Sequence, residues 1–152
     1  MLIRKATPED IAVIRKLERD SETAAHWGER EYDALFAAEA PRRLALLAAE
    51  ERSAPILGFA IARCADDEWE IENLVVEGER RRQGVGSALI SELVREARRS
   101  GAAAVLLEVR ESNAPARRLY EKIGFNIVGR RPGYYRDPPE DALLLKISIS
   151  IP

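Results

Sequence analysis

The hydrophobic pattern of the chain changes between two periods. Where apolar and polar residues alternate, side chains at i and i+2 share a face, as in a β-strand. Runs of this character cover residues 2–6, 43–49, 56–64, 68–76, 104–110, 126–129 and 142–149. The alternation in 68–76 predicts one face with Trp69, Ile71, Asn73 and Val75, and another with Glu70, Glu72, Leu74 and Val76. Residues 104–110 are mostly apolar, which predicts a central strand.

Four other segments repeat their apolar residues every three or four positions, the spacing of an amphipathic helix. These segments are residues 7–20, 29–39, 84–99 and 113–123. Thr7 before Pro8 is typical of a helix start, Ser112 or Asn113 is a second N-cap, and Gly124 ends that helix. Residues 130–141 are interpreted as an irregular crossing. The order β-α-α-β-β-β-α-β-α-β-β predicts one α+β domain over residues 1–152, with helices on a mixed sheet.

Composition and charge exclude several classes of protein. A net charge of -2 over 152 residues argues against a general nucleic-acid binder. One cysteine and one histidine, His26, are too few for a zinc site built from those residues, and no metal is expected. The N-terminus has no apolar segment of the kind that a secretory signal needs, and the apolar run 44–49 is too short to span a bilayer. We therefore expect a cytoplasmic protein that does not bind membranes.

The segment RRRQGVGSAL, residues 80–89, places two glycines where a strand gives way to a helix. It lacks the lysine of a P-loop and the third glycine of a dinucleotide fingerprint. One alternative is a glycine-rich turn with no ligand. The other is an anion cradle, because the first amides of a helix lack internal partners and Gly84 and Gly86 let a diphosphate approach them. Arg81 and Arg82 would add positive charge.

The spacing Arg81-x-x-Gly84-x-Gly86 after Leu74–Val76 resembles the coenzyme A site of the GNAT acetyltransferases, with its Q/R-x-x-G-x-G/A motif. The resemblance covers nearly the whole chain. It implies a mostly antiparallel sheet of about seven strands with about four helices, and acetyl-CoA as co-substrate. In that family the strand before the motif is bulged and separates from its neighbour. The residues that would contact coenzyme A are Leu74, Val75, Val76, Arg81, Arg82, Gln83, Gly84, Val85, Gly86, Ser87 and Asn113.

Three further stretches are similar to the ribosomal-protein alanine N-acetyltransferases of this superfamily. They are residues 107–125, the segments GRRPGYY and EDALLL that follow, and AHWGEREYDALF near the first helices. The similarity implies that the acceptor is the N-terminus of a protein or peptide, such as a ribosomal protein. On the peptide side it implies Trp27, Glu72, Tyr134 and Tyr135.

The resemblance also implies two catalytic groups. Glu108 would be the general base, with Glu72 as its rival on the preceding strand. The alternative for Glu108 is a strand-end carboxylate paired with Arg110 or Arg130. Tyr120 would offer its hydroxyl proton to the departing thiolate, and its alternative is a core aromatic.

Acetyl-CoA-dependent N-terminal acetylation is thus the leading hypothesis. The alternatives are a GNAT enzyme that acetylates a small amine or a lysine side chain, and an acyl-CoA-binding regulatory module without turnover. The sequence leaves the acceptor and the oligomeric state open.

Overall fold

The computed structural model describes residues 1–21, 24–25, 27–37, 42–52, 55–65, 67–80 and 83–149. Seven strands and four helices form in the predicted order. The strands are β1 (Leu2–Lys5), β2 (Arg43–Ala49), β3 (Ile56–Cys64), β4 (Glu68–Val76), β5 (Ala104–Arg110), β6 (Asn126–Arg136) and β7 (Pro139–Ser148). The helices are α1 (Ile11–Arg19), α2 (Glu29–Ala34), α3 (Val85–Arg99) and α4 (Ala114–Ile123), with short 3-10 helices at Pro8–Asp10 and Gly78–Arg80.

All seven strands join one sheet in the order β1-β2-β3-β4-β5-β7-β6. Neighbours are antiparallel except β4 and β5, which run parallel and are joined through α3, because a parallel pair needs a crossover. One core cluster, with Leu89 and Leu93, packs α3 and α4 on the sheet. A second, with Ile14 and Phe59, packs α1 and α2 on the opposite face. The α+β prediction is confirmed.

A β-bulge in β4 overturns the predicted alternation of residues 68–76. Ala62 pairs with Ile71 and Ile61 with Asn73, so that Glu72 is an extra residue in β4. The extra residue shifts the phase by one position. Trp69 and Ile71 therefore belong to the cluster beneath α3 and α4, whereas Val75 belongs to the cluster beneath α1 and α2.

Beyond the bulge, β4 leaves β5. The two strands pair only from Glu68 to Ile71 on β4, against Ala104 to Leu107 on β5. Residues 73–76 continue to pair with β3 on their other side. The space between residues 72–76 and 108–110, where the β4–β5 ladder has ended, is called the β4–β5 opening. The bulge and strand separation that the resemblance implied are therefore present.

The interpretation of residues 130–141 as an irregular crossing was wrong. They form most of a hairpin in which β6 pairs with β7, with register shifts between Ile127 and Gly129 and between Arg131 and Tyr135. Gly133 lies within the second shift. Its φ of 61° is left-handed, and its amide donates to Asp141 Oδ1 at 2.8 Å. The irregularity at glycine and proline thus interrupts the pairing locally, and the hairpin resumes beyond it.

The end of one helix differs from the prediction, and the start of another is stabilised by a different residue than predicted. Helix α2 ends at Ala34 rather than residue 39, and residues 38–41 lie outside the described part of the chain. Thr7 occupies the predicted N-cap position, but its hydroxyl does not cap the helix. Asp10 Oδ2 instead accepts from the Thr7 amide at 2.8 Å and from the Thr7 hydroxyl at 3.3 Å.

Candidate active site

Helix α3 begins at the mouth of the β4–β5 opening, at a glycine in a left-handed conformation. Gly84 is the N-cap with φ 81°, and a Cβ added there would meet no heavy atom of the described residues within 4 Å. Gly84 and its neighbour Gln83 are exposed. A helix start whose N-cap residue is exposed and has no side chain is suited to a diphosphate group.

Of the next three residues in the chain, two are buried and one is partly exposed. Val85 is in the hydrophobic core, so its side chain cannot face a ligand at the cradle. A Cβ on Gly86 would lie 2.9 Å from Leu119 Cδ1, so the absence of a side chain there lets α3 pack against α4. Ser87, in the first turn of α3, is partly exposed. Arg81 and Arg82 lie outside the described residues.

Strand β4 presents its backbone, rather than its side chains, to the opening. Leu74 and Val76 pack toward the cluster beneath α3, and Val75 is buried on the other face. The backbone edge of these three residues that faces β5 lies outside the β4–β5 ladder. An extended ligand chain placed there would lie along that edge as an additional strand does.

Glu108 lies on the opposite side of the opening, near the end of β5. Leu107 and Val109 point into the cluster beneath α3 and α4, so Glu108, between them, points to the other face of the sheet. Its side chain is 20% exposed, and Arg131 Nε contacts Oε1 at 2.9 Å. The anticipated partners Arg110 and Arg130 were wrong, because each is paired elsewhere: Arg110 with Glu140, and Arg130 with Glu111 and Asp141.

Tyr120 reaches this region from α4 and the other face. It is 6% exposed and packs edge-on against Phe125 with ring centroids 5.6 Å apart. Burial raises the pKa of the Tyr120 hydroxyl above its usual value, and the neighbouring Tyr135 adds to this. The packing is that of a core aromatic, yet the hydroxyl has no hydrogen-bond partner among the residues that the structure describes. Tyr120 therefore keeps a protonated donor that none of the described residues uses.

Tyr135, on β6, lies close to both groups. The Arg110 guanidinium carbon is 4.0 Å from its ring centroid. Burial, followed by the charge of Glu108, raises the pKa of the Tyr135 hydroxyl. Tyr134 stands at right angles to it, with centroids 5.1 Å apart, and is 52% exposed. The structure thus brings Glu108, Tyr120 and Tyr135 together at the β5 side of the opening.

Trp27 and Glu72 form a separate group on the α1–α2 face. Glu72 accepts from Arg43 Nε at 2.6 Å and from a second Arg43 nitrogen at 3.3 Å. The Arg43 guanidinium carbon lies 5.3 Å from the Trp27 ring centroid. Glu72, at the bulge, is therefore held in an ion pair with two hydrogen bonds.

Asn113 is used for local structure. It is the N-cap of α4, and its Oδ1 accepts from the Ala116 amide at 3.3 Å. This confirms the predicted helix start. It also engages the side-chain oxygen of Asn113 in the cap, while the amide nitrogen is not needed for capping.

The model of the acetyltransferase (GNAT) family matches residues 11–125, about three quarters of the chain. The chain belongs to the GNAT acetyltransferase family. The match begins at α1 and ends just after α4, so it includes the β4 bulge, the β4–β5 opening and the start of α3.

Among GNAT proteins, the chain is similar to enzymes named for a ribosomal acceptor. It is 42% identical over 95 residues to the [ribosomal protein bS18]-alanine N-acetyltransferase of Escherichia coli K12, an alignment covering 61% of this chain and 64% of that protein. The chain thus spans a little under two thirds of that relative. A putative enzyme of the same name in Bacillus subtilis is 30% identical over 148 residues, covering 97% and 95% of the two chains.

A solved structure also supports the assignment of this chain to the GNAT family. The crystal structure of the ribosomal-protein-S18-alanine N-acetyltransferase from Escherichia coli superimposes with a TM-score of 0.82 at 31% identity. The superposition covers 99% of this chain and 95% of that one. The GNAT fold predicted from the glycine motif is therefore shown.

Two features of this GNAT site could not be found from motifs. Arg131 and Arg43 each hold one of the two candidate carboxylates, and neither stands in a stretch that the motifs single out for that role.

Within the described ranges, no helix has the length and apolar character needed to cross a membrane, and no group of three or more His, Cys, Asp or Glu residues could hold a metal ion.

Proposed function

We propose that this protein is an acetyl-CoA-dependent N-acetyltransferase whose acceptor is the N-terminal α-amine of a protein, as in the ribosomal-protein alanine acetyltransferases. The observation that carries the proposal is the β4–β5 opening, with Glu108 reaching it from one face of the sheet and Tyr120 from the other. The relative that aligns over 95% of its length supports the same acceptor class. A single cysteine and a ribosomal acceptor both fit the cytoplasm.

Acetyl-CoA fits the opening as a substrate. Its pantetheine chain would lie along the backbone edge of Leu74–Val76, and its diphosphate would lie at the exposed helix start around Gly84. Gln83 and Ser87 stand beside that helix start, and Arg81 and Arg82 are proposed to add positive charge. Gly86 contributes indirectly, since its missing side chain lets α3 approach α4.

The reaction requires a neutral amine at the thioester carbon. The amine nitrogen forms the new C–N bond, the C–S bond breaks, and coenzyme A leaves as a thiolate. The amine proton that must be lost passes to Glu108, directly or through water. An α-amine with a pKa near ~8 is ~10% neutral at pH 7, whereas a lysine is below ~0.1% neutral. An α-amine acceptor therefore needs little help from a general base, even when that base is a carboxylate paired with Arg131.

Tyr120 stabilises the leaving thiolate. We expected a tyrosine of ordinary pKa that could hand over its proton, but burial makes this hydroxyl a weaker acid. A thiol titrates near ~8.5, so complete proton transfer from Tyr120 is unfavourable. The hydroxyl instead donates a hydrogen bond to the developing negative charge, in a site where water is largely excluded.

The test is a set of acceptors and three matched carboxylate variants. Peptides that begin with Ala or Ser should be acetylated at the α-amine, and blocking that amine should end turnover. Glu108→Gln should lower kcat by roughly 10²–10⁴-fold with acetyl-CoA affinity retained. Glu70→Gln, on the exposed part of β4, is the neutral control, and Glu72→Gln tests the rival base.

Each alternative gives a different result. Faster reaction with polyamines or lysine peptides would refute the α-amine acceptor. Binding of acetyl-CoA without turnover on any amine would favour the regulatory module. A severe defect in Glu72→Gln beside a nearly normal Glu108→Gln would move the base to β4.

A further inference from the structure

Beneath the acceptor side of the opening lies a buried carboxylate that the proposed chemistry does not use. Glu18, near the end of α1, is 3% exposed. Its Oε1 accepts from the Tyr32 hydroxyl at 2.5 Å and from the Trp27 amide at 3.0 Å. Its Oε2 accepts from Asn73 Nδ2 at 2.5 Å. A buried carboxylate survives in a core only when donors satisfy it, and here three donors do so.

The three donors come from three different parts of the acceptor side. Trp27 belongs to the segment between α1 and α2, Tyr32 to α2, and Asn73 to β4 directly after the bulge residue. Asn73 extends the network, because its Oδ1 accepts from the Ala25 amide at 3.3 Å. One carboxylate thus fixes the α1–α2 segment to the strand that borders the opening.

These contacts close into a ring. Glu18 holds Asn73, whose neighbour Glu72 holds Arg43, and Arg43 lies against the Trp27 ring. The Trp27 amide in turn donates to Glu18. The ring includes two of the residues predicted on the peptide side, Trp27 and Glu72. A shift at Glu18 would therefore move the wall that an incoming peptide would meet.

The acetyl-CoA side is held by other contacts. Leu74, Val75 and Val76 are fixed by their ladder with Ala60, Phe59 and Gly58 on β3. That ladder does not involve Glu18. The two substrates therefore depend on different supports, which makes the role of Glu18 separable by experiment.

The geometry points to Glu18 as a positioning residue for the acceptor, which sets the place of Trp27 and of the β4 bulge without touching the reacting atoms. This inference rests on the proposed function, because it assigns Glu18 to the peptide side of that reaction. For this role, Glu18 must accept three hydrogen bonds at once.

Glu18→Gln breaks this pattern in one place. The new amide can still accept from Tyr32 and Trp27 through its oxygen, but its nitrogen then faces the donor nitrogen of Asn73. We expect kcat/KM for the peptide to fall roughly 10- to 100-fold, mainly through KM, with the Kd of acetyl-CoA within about twofold. Tyr32→Phe, which removes one donor, should show a smaller change of the same kind. Glu70→Gln is the control.

The double variant Glu18→Gln/Asn73→Asp supplies the rescue. The glutamine nitrogen now donates to the new carboxylate at position 73, whose other oxygen accepts from the Ala25 amide. All four hydrogen bonds are restored, with the negative charge moved from α1 to β4. The peptide KM should return toward that of the parent protein. A purely structural role for Glu18 would instead affect both substrates alike, or lower thermal stability without changing the peptide KM.

Amide hydrogen exchange gives a readout that does not need activity. The Trp27 amide should be protected in the parent protein, should exchange faster in Glu18→Gln, and should be protected again in the double variant. An inactive parent protein with this exchange pattern would refute the proposed function but leave the network intact. An active parent protein whose peptide KM is unchanged by both Glu18→Gln and Tyr32→Phe would overturn the inference, and so would a double variant that is no better than Glu18→Gln.

Discussion

Helix α3 has a glycine with positive φ at each end. The anion cradle predicted at Gly84 can therefore be tested against a matched control, Gly101. Gly84 precedes the helix with φ 81°, and Gly101 follows it with φ 86°. In both cases an added Cβ would meet no heavy atom of the described residues within 4 Å. Gly84→Ala and Gly101→Ala therefore impose similar backbone strain and no steric clash with the part of the chain that the structure describes. They differ only in that Gly84 borders the β4–β5 opening.

The magnitude of the strain follows from the backbone alone. A residue with a Cβ in the left-handed region costs roughly 1–2 kcal/mol. In a domain of this size each kcal/mol lowers Tm by about 2–4 °C. We expect the two variants to lose similar amounts of stability and to remain folded, as thermal unfolding without ligand would show.

Their affinity for acetyl-CoA should differ. The new methyl group at position 84 occupies the space in front of the helix start, so the Kd should rise about tenfold or more, the factor that corresponds to ~1.4 kcal/mol. Isothermal titration calorimetry would measure it, and Gly101→Ala should bind like the parent protein. Equal Kd values for both variants would refute the cradle. A far larger stability loss in Gly84→Ala would show that the two sites are not matched.

Further predictions concern two other side chains. Tyr120→Phe should leave unfolding free energy within ~1 kcal/mol, because the hydroxyl has no partner among the described residues, while kcat falls roughly 10²-fold or more. Because the Tyr120 pKa is raised, its hydroxyl stays protonated through pH 10, so a kcat–pH profile of the parent protein that fell near pH 9 would argue against Tyr120 as the donor. Asp10→Asn tests the Arg4 ion pair, since the hydrogen bonds from Arg4 lower the Asp10 pKa to about 2. A lowered pKa stabilises the fold above the unfolded value near ~3.9, so the ~1–2 kcal/mol that Asp10 contributes at pH 7 should disappear as urea unfolding is repeated from pH 4 down to pH 2.

The element order was predictable because it depends on local periodicity. Helix α3 is an example: Val85, Leu89, Leu93 and Ala97 recur at helical spacing, and all four are buried. The glycine motif then placed the start of α3 beside an opening in the sheet. These features are carried by neighbouring residues, so one sequence is enough to read them.

The phase of β4 was not predictable by the same means. Alternation assumes one residue per position on the partner strand, and the bulge at Glu72 breaks that assumption without any glycine or proline to mark it. The partner of Glu108 was missed for a related reason. Arg110 and Arg130 were the expected partners, but the fold of the hairpin brings Arg131 to Glu108 instead. Such pairings depend on contacts between segments far apart in the chain.

The single parallel pairing in the sheet has a consequence for how the protein responds to its substrate. Strands β1–β4 and strands β5–β7 each form an antiparallel set, and only four residue pairs of β4 and β5 join the two sets. A pantetheine chain lying along residues 74–76 would occupy the missing part of that seam. Bound acetyl-CoA would then act as a structural member of the sheet, and the seam is where we expect the native state to gain the most rigidity on binding.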